Sequence, residues 1–345
     1  MGIEFRCDAG KLVWVRNPFT GDVTYFTHVH RKKSGFLEQA QRQLLAERHL
    51  DRERYEAALR AELEQSLRAC PFCPGNEERS PDEVYRLTSA EVFGRTTPDP
   101  WLIRAVRNLV PRIPECCTGG QNESYVVVED PRHFADGAQG HEDLLYSAML
   151  PVEQFEALLV VDRKVAELAL RNPSVQKVLI RKNQGRESGA SQPHVHNQVI
   201  GSDRNFPAIE RECAVTAREP GIWEEIVQFA RHFGFLLSED ATCVAYFCPF
   251  GTFPRSYDIV CLHHWESLTE LPEPTWRHFA RTLHRVLQIL GPVPLDYEIH
   301  DGPGVPLHAH VNSRHYPYSN IGGTLNLPSL LLEATPPWAL PLSSA

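Results

Sequence analysis

One order of elements occurs twice in this chain, and that repeat constrains its fold more than any single motif. YVVVEDPRH, ending at His133, and YDIVCLHH, ending at His264, are both strand-like runs that lead into a histidine. Each is followed by a helical segment, near Pro151 to Leu170 and near Glu273 to Leu290, and then by a strand, Val175 to Lys182 and Leu295 to His300. Each copy then has a Gly-containing turn and an H-x-H pair, His194-Val195-His196 in the first and His308-Ala309-His310 in the second. Self-similarity of this kind is most economically read as an internal duplication. Further strands are expected at Ile103 to Val110, Ser124 to Glu129, Thr242 to Cys248 and Tyr257 to Leu262, with a helix near Gly221 to Leu237. No low-complexity linker separates the copies, so halves 1–200 and 201–345 are expected to share an interface.

Outside the repeat, residues 11 to 31 alternate like a hairpin. KLVWV and VTYFTHVH flank a turn at Asn17 to Asp22, which reads as a sheet edge. From Gly35 to about Arg68 the chain is rich in Leu, Ala, Glu, Gln and Arg at helical spacing, which predicts one long helix or a helix pair. The whole chain has 345 residues, 42% of them hydrophobic, which suffices for a real core. Its net charge of -9 argues against holding a nucleic-acid backbone by bulk electrostatics. No apolar run is long enough for a membrane helix, and MGIEFRCDAGK lacks the pattern of a signal peptide, so a soluble cytoplasmic protein is expected. Nine cysteines without a secretory signal suit reduced thiols and metal ligands better than a disulfide framework.

Two segments carry chemistry. Cys70-Pro71-Phe72-Cys73 has the spacing that lets two thiolates reach one ion from a tight turn. Redox dithiols share that spacing, but a thioredoxin-like motif sits between a strand and a helix, whereas loop residues follow here. A tetrahedral site needs two more ligands, for which His133 and His194 are candidates. The second segment runs from Asn183 to Gln198. Its Gly- and Ser-containing turn can present N–H groups and hydroxyls to phosphate oxygens. On a strand, His194, His196 and Gln198 would share one face, either as a site or as a solvent-facing polar surface.

These residues together resemble the galactose-1-phosphate uridylyltransferase family of the histidine-triad superfamily. The resemblance runs through Arg16 to Gly21, His30-Arg31, Cys70 to Asn76, Asn108, Pro131 with His133, the N-x-G-x-x-x-G-x-S-x-x-H-x-H-x-Q run from Asn183 to Gln198, His264, and Leu307 to His310. It implies an α+β fold of two duplicated histidine-triad-like halves, with antiparallel sheets and flanking helices, in a homodimer. It implies His196 as a nucleophile that takes up a nucleotide covalently, with Gln198, Ser191 and the Gly189 turn stabilising the phosphoryl charge. Hydrolytic relatives carry a third histidine where this chain has Gln198, so transfer to a phosphate acceptor is favoured over transfer to water. Arg31, Asn108 and Asn183 match positions that touch the nucleotide. Zinc is implied at Cys70, Cys73, His133 and His194, and a second metal, iron or zinc, at Glu212, His264, His308 and His310.

The chain also departs from the pattern. Val195 replaces the usual proline between the histidines, Ser34 stands where a second arginine is expected, and Gly322 to Pro328 replaces the segment that helps hold a hexose phosphate. The leading expectation is transfer of uridylate between a nucleotide sugar and a sugar 1-phosphate. The alternatives are a phosphorylase that moves AMP from an ADP-sugar or dinucleoside polyphosphate to phosphate, and, from another class, a zinc-stabilised nucleotide-binding protein. Nucleic acid and membrane are not expected partners.

Overall fold

Val152–Ala169 (α2) and Glu273–Leu290 (α5) are the two long amphipathic helices of the repeat, and they lie against each other on one face of a single large sheet. The computed structural model describes residues 2–25, 64, 67–138, 143–185, 188–251, 253, 256–263 and 267–314. The helical expectation for 35–68 falls almost wholly outside them, as do Arg31, Ser34, His264 and the 322–328 segment. Proline precedes each long helix and Glu153 or Glu273 stands in its first turn, where a carboxylate complements the helix dipole. The two helices are joined where the Trp276 indole N–H donates to the Leu159 carbonyl at 2.7 Å and His284 stacks on Phe155 at 4.8 Å. Phe155 and Trp276 are fully buried, so truncating either to alanine should cost about 3–5 kcal/mol.

Ten strands form the sheet, and every neighbouring pair is antiparallel. In chain order they are β4 (Glu83–Leu87), β5 (Ile103–Arg107), β6 (Ser124–Val128), β7 (Lys177–Gln184), β8 (His196–Ser202), β9 (Leu236–Glu239), β10 (Cys243–Phe247), β11 (Ser256–Cys261), β12 (Leu295–Gly302) and β13 (Val305–Ser313). Their spatial order is β4-β5-β6-β8-β7-β12-β13-β11-β10-β9, which reads the same from either end once the halves are matched strand for strand. The duplication expected from the sequence is therefore built as one continuous sheet with a pseudo-two-fold at the β7–β12 pair, in register from Leu295↔Gln184 to Ile299↔Ile180. This joint gives the halves a common apolar core and leaves no seam between them.

The opposite face differs between the halves. Over the second half lie α3 (Pro207–Arg218) and α4 (Ile222–His232), whereas the sequence predicts one helix running on to Leu237. Gly234 adopts φ +71° two residues after α4 ends, a left-handed conformation that stops the helix and feeds Leu236 into β9. The expected N-terminal hairpin forms β2 (Lys11–Arg16) and β3 (Val23–Tyr25), joined by β1 (Phe5–Asp8), as a separate three-stranded sheet. It docks on the second half through Phe5 against Phe229 and Phe19 against Trp223. A short helix α1 (Ser89–Phe93), closed by a Thr88–Glu91 capping box, connects β4 to the loop before β5.

Candidate active site

The face of the first half opposite α2 carries the predicted residues. β8 places His196 and Gln198 on that face and Asn197 on the helix-covered one, where the Asn197 amide donates to Asp162 at 2.7 Å. The Cys70–Cys73 turn packs against the start of β8, held by a Phe72 N–H bond to Cys70 Sγ at 3.4 Å and by the Asn76 amide on the Cys70 carbonyl at 2.9 Å. Cys70, Cys73, His133 and His194 are all buried, and one ligand atom from each lies within 4.8 Å of the others. His194 Nδ1 is 3.6 Å from Cys70 Sγ and 3.5 Å from Cys73 Sγ, and His133 Nδ1 is 3.5 Å from Cys73 Sγ. A tetrahedral zinc with ordinary bond lengths would set sulfur and nitrogen about 3.6 Å apart, so the spacing fits the ion. Hydrogen bonding from the Cys73 thiol, with His133 and His194, holds the Cys70 thiol far below its usual range despite burial. The same bond, with burial, pushes Cys73 up. The second ring nitrogen of His194 meets the Asp130 carbonyl at 2.8 Å, which fixes the ring with Nδ1 toward the thiols.

Beside this cluster is a cavity of about 320 Å³ whose lining includes Phe72, Asn108, Ser191, His196 and Gln198. His196 Nδ1 donates to the His194 carbonyl at 2.7 Å, which leaves Nε2 as the nitrogen with a lone pair for the cavity. Burial is the main influence that brings the His196 ring down to about 4, with a push from the Lys182 charge, so it is neutral near pH 7. Gln198 is 5% exposed, lines the cavity, and its side-chain carbonyl oxygen has no partner among the described residues. Asn108 bonds Ser124 and accepts the Val110 N–H, and it remains on the cavity wall. Asn183 is placed differently from Asn108: its amide donates to the Ser188 carbonyl at 2.6 Å and shapes the loop. That loop turns at Gly185 (φ +79°), where a Cβ would stand 2.9 Å from Pro294, and again at Gly189 (φ +81°).

A second cluster sits on the same face of the other half. Glu212, His300, His308 and His310 bring their ligand atoms within 4.8 Å of one another. Glu212 comes from α3 and meets His300 at 3.0 Å, His310 at 3.3 Å and His308 at 3.6 Å. Despite burial, which would raise it, the histidines hold the Glu212 carboxyl well below the usual range. His310 Nδ1 bonds Asp258 at 2.7 Å and His308 Nδ1 bonds the Pro306 carbonyl at 2.8 Å, so both Nε2 atoms converge, 3.2 Å apart. Three imidazoles and a carboxylate in this arrangement suit zinc or iron(II). Of the residues expected at a second metal, the structure brings Glu212, His308 and His310 together with His300, and His264 lies outside the described residues. His300 lies within β12, directly across the ladder from His308, a pairing that the sequence alone does not show.

Comparison with known proteins bears out the resemblance. Residues 112–276 match the family described as a domain of unknown function, DUF4921. The chain is 25% identical over 257 residues to ADP-glucose phosphorylase of Arabidopsis thaliana, covering 68% of each protein. The crystal structure of an ADP-glucose phosphorylase from that plant with bound ADP-glucose superposes with a TM-score of 0.60 at 18% identity, over 90% of this chain and 91% of that one. A uridylyltransferase structure gives 0.56 at 19% identity, over 94% and 89%. At these identities the two structures establish a shared fold.

Proposed function

We propose that this chain, built on the fold of the galactose-1-phosphate uridylyltransferase-like proteins, transfers a nucleoside monophosphate through a covalent nucleotidyl-His196 intermediate. The observation that carries this reading is the cavity-lining His196, neutral and tethered through Nδ1, with Gln198 beside it on the cavity wall. The lone pair on Nε2 attacks the α-phosphorus of a nucleotide sugar. A bond from nitrogen to phosphorus forms, the bond from phosphorus to the bridging oxygen breaks, and a sugar 1-phosphate leaves. The Nδ1 proton stays on the ring and is shared with the His194 carbonyl, which steadies the cationic ring of the adduct. Gln198, Ser191 and the loop N–H groups around Gly189 stabilise the charge on the non-bridging oxygens. Cys70, Cys73, His133 and His194 would hold zinc, whose contribution there is to fix the start of β8 and not to activate a reactant. Glu212, His300, His308 and His310 would hold a second metal with the same structural effect in the other half.

Among nucleotides, we favour AMP as the cargo, an ADP-sugar as donor and inorganic phosphate as acceptor, because the sequence likeness over 257 residues is to a phosphorylase of ADP-glucose. Uridylate, the leading expectation from the sequence, rests on the motif from Asn183 to Gln198. One experiment separates them. In the absence of any acceptor, labelled glucose 1-phosphate should exchange into ADP-glucose, and phosphate should then release ADP. Exchange into UDP-glucose instead would establish the uridylyl reading, and exchange into neither, with retained nucleotide binding, would establish a binding protein.

A further inference from the structure

A fully buried ion pair lies directly beneath the nucleophile and has no part in the chemistry described so far. Lys182 on β7 and Glu129, just after β6, are both completely inaccessible, and the lysine ammonium meets the carboxylate and also the His196 carbonyl oxygen, the latter at 3.2 Å. The other carboxylate oxygen accepts the Ser147 hydroxyl at 2.6 Å, and the Ser147 N–H donates to Gln184 at 3.0 Å. A charge pair withdrawn from water in this way is rarely the cheapest way to stabilise a core, since apolar residues of the same volume often do as well or better.

Its position explains what it does. The ladder between β7 and β8 runs from Lys177↔Ser202 to Arg181↔Gln198 and stops, while β7 continues to Gln184 along β12. The two strands therefore part at the level of His196. On the other side of β8, the Glu129 N–H donates to the Val195 carbonyl, and His196 is paired opposite Val128. In an antiparallel ladder this makes His196 a residue whose own main-chain groups point away from β6, toward the opened β7 side. The Lys182 ammonium takes the carbonyl that the ladder leaves there. Because the His196 ring is tied through Nδ1 to its own strand, the main-chain position at this fork sets where Nε2 lies.

We infer that Lys182, held by Glu129, is a positioning residue for the transfer step: it closes the fork between β7 and β8 and aims His196 into the cavity. The inference rests on the reading of His196 as nucleophile. Its test compares native protein, Lys182→Met, and the double variant Lys182→Met/Glu129→Gln, which avoids leaving a lone carboxylate buried. With a donor that labels the native protein, the double variant is expected to keep its zinc and melting temperature, and to keep the half-saturating donor concentration within about twofold. Its rate of label uptake at saturation should fall about tenfold to a hundredfold, the scale of a small misplacement of a reacting group. Native uptake by the double variant, a change confined to donor affinity, or loss of fold and zinc would each overturn the inference. Absence of label on the native protein would instead remove the nucleophile reading beneath it.

Discussion

The two H-x-H strands occupy matching places in one sheet, yet their histidines face different surroundings. In the first half, His194 turns to two thiols and His196 opens onto a cavity; in the second, His308 and His310 both turn to Glu212. Gln198 lies opposite Val126 and Asn312 opposite Ser256 in the corresponding ladders. The Gln198 side-chain oxygen has no partner among the described residues, while Asn312 donates to Asp296 at 2.9 Å and accepts the Ser256 hydroxyl at 2.8 Å. Surroundings matter as much as identity: His310, which matches His196, meets Asp258 at 2.7 Å through Nδ1 and Glu212 at 3.3 Å through Nε2, whereas His196 is tied through Nδ1 to its own strand and lines the cavity. On the function proposed above, the same strand pattern serves as a nucleophile where a cavity lies ahead of the imidazole and as a metal ligand where a carboxylate does.

The largest way to break this comparison is to remove the nucleophile. His196→Gly should abolish nucleotide exchange, by more than about 10⁴-fold, while zinc content and melting temperature stay native, because His194 is untouched. Next in size, Cys73→Ser should lose about one zinc per chain by metal analysis and several kcal/mol of stability in thermal or denaturant unfolding. A metal-free protein of full stability would dismiss that site. Gln198→Ala should slow adduct formation about a hundredfold, roughly 3 kcal/mol, whereas Asn312→Ala should leave its rate near native in the same quench assay. Smallest on the chemical step, His310→Ala should lower second-metal content or stability and leave adduct formation close to native; a folded variant that forms no adduct would reverse the roles of the halves.

Much of the frame was legible because duplication restricts the choices. The bounds of α5 came directly from its apolar period, and the absence of a linker led to the expectation that the halves share an interface. Cys70, Cys73, His133 and His194 could be grouped because two of them share a tight turn and the others end or begin strands. His300 was not legible, since a single histidine at a strand end reads equally as a satisfied core residue until the register places it opposite His308. The helix that delivers Glu212, α3, was missed because its charged residues mask a modest apolar stripe. Lys182 and Glu129 were hidden for the same reason: charges in strands read as solvent-facing, and only the long α2 over that face reveals them as buried.

The most direct test of the asymmetry is to find where the nucleotide goes. The protein is mixed with α-labelled donor without acceptor, quenched in alkali to preserve a phosphorus–nitrogen bond, digested, and its labelled peptide sequenced. The label should lie on the peptide that carries His196 and should leave as a labelled nucleoside diphosphate when phosphate is added before the quench. Label on the peptide with His308 and His310, or turnover of donor with no labelled peptide, would contradict the assignment of nucleophile and metal ligand to the two halves.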